Sequence, residues 1–187
     1  MFTEIRIFSR GGQGGVTASK LLAYAGALQD YETQSIPKYG AERKGAPIYS
    51  DVRVSDCNVR RHAPVINFEA DHFILLDPAL FNMIPENPKG GAVVAANATE
   101  VPENLVKNPN IKVGMVDAYK IAEETGLIKS GTALVSTIML GAWCKASGDA
   151  ITIDSVVKAI EKKFKGKVAE NNIKAVKLAY ERFEFLS

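Results

Sequence analysis

Cysteine is nearly missing from this sequence. Its two cysteines, Cys57 and Cys144, lie far apart with no Cys-x-x-Cys pairing. They are too few for a structural zinc or a four-thiolate iron–sulfur cluster, so this chain alone holds neither, and buried thiols in a reducing cytoplasm are expected. Histidine is equally scarce. His62 and His72 share no helix-face spacing and read as structural hydrogen-bonding groups rather than ligands or bases. No Gly-x-Ser-x-Gly elbow, His-Glu-x-x-His pair or acid-rich metal loop is present. A nucleophile and its base would have to come from distant residues, so an isolated enzyme has no support in the motifs. No apolar run approaches ~20 residues, and no basic segment leads into an apolar one at the start. Neither membrane insertion nor secretion is indicated, and a cytoplasmic location is expected. The formal net charge is only +2. Nucleic-acid binding would rest on Arg60-Arg61 and Lys162-Lys163-Phe164-Lys165, which read as solvated faces.

What the chain does have is 47% apolar content over 187 residues, enough for one sizeable core and short for two domains. One domain spanning 1–187 is expected. The apolar run Phe2, Ile5, Ile7 and Phe8, with Glu4 and Arg6 between, predicts a first strand. Gly11, Gly12, Gly14 and Gly15 then permit a tight turn with positive φ angles, with Gln13 inside it. A helix over 16–28 follows, with Leu21, Leu22, Ala25 and Leu28 at helical spacing and Thr17 or Ser19 in its first turns. Strand, bare-backbone loop and helix start aim unpaired N–H groups at whatever lies over the loop.

A dinucleotide fingerprint is not met. Gly-x-Gly-x-x-Gly starting at Gly12 fails at Thr17, and the second strand, from Thr33 into Ile36 and Pro37, does not end in an acidic residue. A P-loop fails as well, since Lys20 follows Ser19 and precedes Leu21. Two readings of the loop stay open: an anion site, or a tight turn packed against a neighbouring chain.

Beyond Pro37, the segment Tyr39-Gly40-Ala41-Glu42-Arg43-Lys44-Gly45-Ala46-Pro47 reads as a charged functional loop between two strands. Ile48 to Val54 alternates and Val59 resumes after a Ser55–Asn58 turn signal, predicting a hairpin or meander at one side of the sheet. Phe73–Leu76, Ala92–Ala96 and Ile111–Val116 are apolar without alternation, as expected of parallel strands covered on both faces. Asp77-Pro78 predicts an N-cap and N1 pair opening a short helix through Phe81 and Met83, and Asp117–Glu124 a helix stopped by Gly126. Thr132–Ala146 is apolar nearly all round. It is either central to the domain or buried at an interface, and its small residues favour contact with a partner. Two amphipathic helices close the chain, one capped at 153–155 and running to Phe164, the other over 168–183. The fold class is therefore α/β: a single Rossmann-like domain with a mostly parallel sheet, helices on both faces and a C-terminal helical section.

Arg10 to Ala18 followed by Tyr39 to Pro47 resembles the paired signatures of the gamma subunit of 2-oxoacid:ferredoxin oxidoreductases, the pyruvate type in particular. The likeness extends through Leu75–Leu80 to Met139–Ala142. It implies a multi-subunit enzyme that oxidatively decarboxylates a 2-oxoacid and joins the acyl group to coenzyme A, and that is inactive as this chain alone. It also implies thiamine diphosphate with Mg between alpha and beta subunits. Iron–sulfur clusters would sit in a delta or ferredoxin-like subunit, and ferredoxin or an NAD(P)-linked flavoprotein would accept electrons. This chain would bind no cofactor alone and would meet neither nucleic acid nor membrane. Pyruvate is the first expected substrate, with phenylglyoxylate, branched-chain and other 2-oxoacids open.

The sequence departs from many relatives at Gly15, an additional glycine, and at Lys44, where arginine is common and the bidentate fork is lost. The strand–loop–helix pattern leaves Gly11, Gly12, Gln13, Gly14, Gly15 and Thr17 as an anion or interface loop. A charged, proline-bounded loop expected at the sheet's carboxyl edge would place Tyr39, Glu42, Arg43 and Lys44 near the coenzyme A entrance, or Glu42 and Arg43 would form an intersubunit ion pair serving assembly. A different class, a stand-alone nucleotide- or anion-binding regulatory module, is carried alongside.

Overall fold

The computed structural model describes residues 1–38, 45–59, 63 and 65–186. Strand β1 (Phe2–Arg10) leads through the glycine loop into α1 (Gly15–Ala27), and β2 (Glu32–Pro37) and β3 (Pro47–Ser55) follow. After β4 (His72–Leu75) come β5 (Ala92–Asn97), the single turn α2 (Glu103–Val106), β6 (Ile111–Val116) and α3 (Ala118–Glu124). A small hairpin, β7 (Ile128–Lys129) and β8 (Thr132–Ala133), precedes α4 (Ile138–Ala146), α5 (Ile153–Lys163), α6 (Gly166–Arg182) and β9 (Glu184–Phe185).

Among the described residues the main sheet has seven strands in the order β2-β3-β1-β4-β5-β6-β9. Its centre, β1-β4-β5-β6, is parallel, as the unbroken apolar runs require. The flanks are antiparallel: β3 pairs with both β1 and β2, and β9 with β6. The expected hairpin is thus β2–β3, whereas Val59 lies outside any strand and its carbonyl accepts from the Gln34 side chain on β2.

One face of the sheet buries Ile5, Ile7, Val52, Ile74 and Ala95 under α1, α3, α4, α5 and α6. The other buries Phe8, Phe73, Leu75, Val94 and Val113 under two 3-10 turns (Asn67–Glu69 and Pro78–Met83) and α2. Next to that second core the antiparallel register sets Glu4 opposite Arg53 and Arg6 opposite Asp51, and both pairs are buried salt bridges. The Asp51 carboxylate takes two bonds from the Arg6 guanidinium, at 2.8 and 2.9 Å, and a third from the Val65 N–H. Each buried charge therefore has its partner, which such burial demands.

Four expectations are corrected by the fold. Helix α4 starts at Ile138 rather than Thr132, because Ser130 (φ 50°) and Gly131 (φ 74°) turn the chain into the β7–β8 hairpin. Its apolar circumference is covered by this chain and not by a partner, and Ile138–Cys144 are all buried. Gly141 lies against α6 so closely that a Cβ would stand 1.9 Å from the Val176 carbonyl oxygen, so the small residues receive the chain's own backbone. Only Cys144 is a buried thiol; Cys57 is exposed and its Sγ donates to Asp56. His72 is structural but not through hydrogen bonding at Nδ1, which is buried without a partner among the described residues. Its ring instead meets Trp143 edge-on at 5.6 Å.

Candidate functional site

From β1 the chain crosses through α1 to the β2 edge, while β4, β5 and β6 extend the sheet the opposite way. The switch point is therefore the crevice at the carboxyl ends of β1 and β4, where open α/β sheets collect ligands. The loops that meet there are Gly11–Gly14 and Leu76–Pro78.

The glycine loop is shaped by backbone requirements. Gly12 has φ 94° and would bring a Cβ within 4 Å of nothing, so it forms the open tip. Gly14 has φ 88° and is the N-cap of α1, with no side chain capping the first turn. A Cβ on Gly14 would lie 2.8 Å from Ser136 Oγ, and one on Gly15 only 2.4 Å from Ser9 Oγ. The additional glycine thus lets α1 settle on the end of β1. Ser9 Oγ and Ser50 Oγ are both buried there without a partner among the described residues. Thr17 lies one turn into α1, half-buried.

Side chains fix this loop. Gln13 Oε1 accepts from the Arg10 N–H at 2.8 Å while the Gln13 N–H donates to the Arg10 carbonyl at 3.0 Å. Asp77 Oδ2 accepts from Gln13 Nε2 at 2.8 Å and from Arg10 Nε at 3.2 Å. Asp77 Oδ1 caps the following 3-10 turn through the Ala79 N–H at 3.0 Å, as its sequence position led one to expect.

Tyr39, Glu42, Arg43 and Lys44 lie outside the described residues. Their C-terminal flank, however, is tied directly to the glycine loop. The Gly11 N–H donates to the Ala46 carbonyl at 2.9 Å, the Gly45 N–H donates to the Gly11 carbonyl at 3.1 Å, and Arg10 Nη1 donates to the Gly45 carbonyl at 3.0 Å. On the other flank, the Lys38 ammonium stands 4.7 Å over the Tyr49 ring. The two motifs singled out in the sequence therefore spring from one hydrogen-bonded platform.

Beside it, the ends of β5 and β6 border a cleft of about 200 Å³ lined by Pro78, Asn97, Thr99, Glu100, Asp117 and Tyr119, among others. Buried Asn97 braces this edge, donating to the Leu76 carbonyl and accepting from the Ala118 N–H. Partial burial, and then the Asp77 charge, raise the Tyr119 phenol above its ordinary pKa. The sequence reading had Arg10 only as the start of a signature and Asp77 only as a cap, and it missed Asn97 and Ser136. Of these last two, Asn97, a polar residue ending a buried strand, left a recognisable signal.

The family description "Pyruvate ferredoxin/flavodoxin oxidoreductase" matches residues 4–182. The chain is similar to "Pyruvate synthase subunit PorC" of Methanothermobacter thermautotrophicus, 37% identical over 185 residues, 98% of this chain and 97% of the relative. It is also similar to "Pyruvate/ketoisovalerate oxidoreductases common subunit gamma" of Thermococcus litoralis, 37% identical over 185 residues and 96% of each chain. Among solved structures, pyruvate oxidoreductase subunit PORC from Thermotoga maritima superposes with a TM-score of 0.82 at 28% identity, over 100% of this chain and 99% of that one. With the family match running over residues 4–182 and the likeness covering nearly the whole of each relative, this chain belongs to the pyruvate ferredoxin/flavodoxin oxidoreductase family.

Proposed function

We propose that this chain is the gamma subunit of a complex that oxidatively decarboxylates a 2-oxoacid, pyruvate first, to acyl-CoA and CO2, passing electrons to ferredoxin or another acceptor. The observation that carries the reading is the end-to-end match to subunits named for that role. One relative is named as common to pyruvate and ketoisovalerate oxidoreductases. A subunit type shared between oxoacids of different bulk does not select the substrate, so phenylglyoxylate and branched-chain acids are decided by other subunits.

The cofactors are assigned to those subunits too. Cys57 at the surface and Cys144 buried in α4 do not make a cluster ligand set, and among the described residues no three His, Cys, Asp or Glu side chains converge as metal ligands. Thiamine diphosphate with Mg belongs to the alpha and beta chains and the iron–sulfur clusters to a delta-type chain. Their chemistry is decarboxylation and electron transfer. Among the described residues no helix is long and apolar enough to cross a membrane; a cytoplasmic location is part of the proposal.

The chain's own contribution is a rigid edge. Gly11, Gly12, Gln13, Gly14, Gly15 and Thr17 form a loop facing an anion or a neighbouring subunit, with the Gly11 and Gln13 N–H groups already held by the Ala46 and Arg10 carbonyls, and Tyr39, Glu42, Arg43 and Lys44 border the coenzyme A entrance. The bonds from Gly11 to Gly45 and Ala46 support this pairing by rooting both loops at the switch point. Replacing Arg43 by alanine in the reconstituted complex tests it: the complex assembles and its KM for coenzyme A rises. An intact complex with an unchanged KM refutes the coenzyme A role and leaves Glu42 and Arg43 as an assembly pair. A stand-alone nucleotide-binding module would instead be a monomer whose Tm rises with added nucleotide.

A further inference from the structure

We infer that Asp77 is a positioning residue: with Arg10 and Gln13 it clamps the glycine loop and the foot of the charged loop in one orientation toward coenzyme A. The inference rests on the reading that the charged loop borders the coenzyme A entrance. Gly12 is exposed and has no side chain with which to pack the loop tip. The holding is done by hydrogen bonds whose polarity is fixed. Asp77 Oδ2 receives two donors, Gln13 Nε2 and Arg10 Nε. Arg10 passes the constraint on by donating to the Gly45 carbonyl, the first described residue after Lys44. Gln13 passes it back to the strand end by accepting from the Arg10 N–H. A chain of four bonds therefore runs from the end of β4 to the foot of the charged loop. The Asp77 side chain is largely buried and that of Arg10 is about one-third exposed, so the ion pair is partly shielded from water.

The two oxygens of Asp77 do different jobs, which separates the clamp from the cap. The amide introduced by Asp77→Asn keeps its oxygen on the Ala79 N–H and turns an NH2 toward two donors, so the cap stays and the clamp is lost. The carboxylate introduced by Gln13→Glu stands against Asp77 Oδ2, breaking the same bond from the other side. In the double variant the new amide donates to the new carboxylate, whose other oxygen still accepts from the Arg10 N–H.

The experiment measures assembly, kcat and the KM for coenzyme A of complexes reconstituted with Asp77→Asn, Gln13→Glu, both together, and Arg43→Ala. The expected result is a KM raised roughly three- to tenfold in each clamp single, the scale of one lost hydrogen bond, with kcat falling less than KM rises. The double variant regains the Gln13 bond but not the Arg10 Nε bond, so its KM falls below that of either single without reaching wild type, a coupling that independent effects do not give. A raised KM for Arg43→Ala with wild-type values for the clamp singles overturns the clamp alone. Wild-type values for all four overturn the coenzyme A reading and the clamp with it. A shift in assembly or Tm without a KM change makes Asp77 merely structural and overturns the inference. If neither single assembles, the double decides: an assembled complex with a KM below that of Arg43→Ala supports the clamp, and failure to assemble or a KM no lower overturns it.

Discussion

Replacing Gly141 by alanine asks whether α4 is packed by its own chain. The added methyl carbon would stand 1.9 Å from the Val176 carbonyl oxygen, 2.8 Å from its carbonyl carbon and 3.0 Å from its Cγ2. Ordinary contact begins near 3.4 Å, so α4 and α6 must part by about 1.5 Å. Two backbones have to move, since the nearest obstacle is a carbonyl and not the end of a flexible side chain. Overpacking of this kind costs about 1–3 kcal/mol and occasionally more, while alanine's helix propensity returns about 1 kcal/mol. Parting the helices also loosens the seam around buried Trp143, Val176 and Ala179. At the top of that range, less the propensity gain, the expected net loss is about 2 kcal/mol. For a chain of this size that lowers Tm by about 4–8 °C, as read by circular dichroism of the isolated chain. An unchanged or higher Tm in the isolated chain, with loss appearing only in the assembled complex, would refute the internal packing and restore a partner to this helix.

Three further outcomes follow from buried or exposed groups. Asp51→Ala strands the buried Arg6 guanidinium and should cost about 3–5 kcal/mol in a denaturant melt, whereas replacing both Arg6 and Asp51 by apolar residues of similar volume should cost far less. Burial lowers the His72 pKa from 6.5 to about 4, so the folded state binds fewer protons than the unfolded state between those values. Stability is then fully present above pH 6.5 and falls by about 3 kcal/mol as pH drops to 4, and a pH series on His72→Phe should be flatter over that window. An alkylating reagent should label Cys57 in the native chain and Cys144 only on unfolding; because the Asp56 hydrogen bond raises the Cys57 thiol, labelling should quicken at alkaline pH.

The parallel centre of the sheet was legible because Phe73–Leu76, Ala92–Ala96 and Ile111–Val116 are unbroken apolar runs, and the glycine loop because four glycines in five residues serve few other ends. The placement of β3 between β1 and β2 was not. It depends on cross-strand pairs such as Glu4 with Arg53, which no local pattern reveals. Helix α4 misled for a related reason: an apolar circumference looks the same whether Val176 or a foreign residue covers it. In the candidate site, Asp77 was readable through the oxygen that caps a turn and silent about the oxygen that holds Arg10 and Gln13. The joining of the two loops was equally silent, because Gly11 meets Gly45 and Ala46 through backbone groups that nearly every residue carries.

The central claim is that this 20.2 kDa chain works only inside a larger oxidoreductase. The most direct measurement is the native mass and composition of the untagged protein purified from its own cells, with oxoacid turnover assayed on the same material. The expected result is a far heavier particle containing thiamine-binding and cluster-bearing chains, which oxidises a 2-oxoacid only when coenzyme A and an acceptor are supplied. Recovery of the chain as a monomer without companions, or turnover of any oxoacid by the monomer, would contradict it.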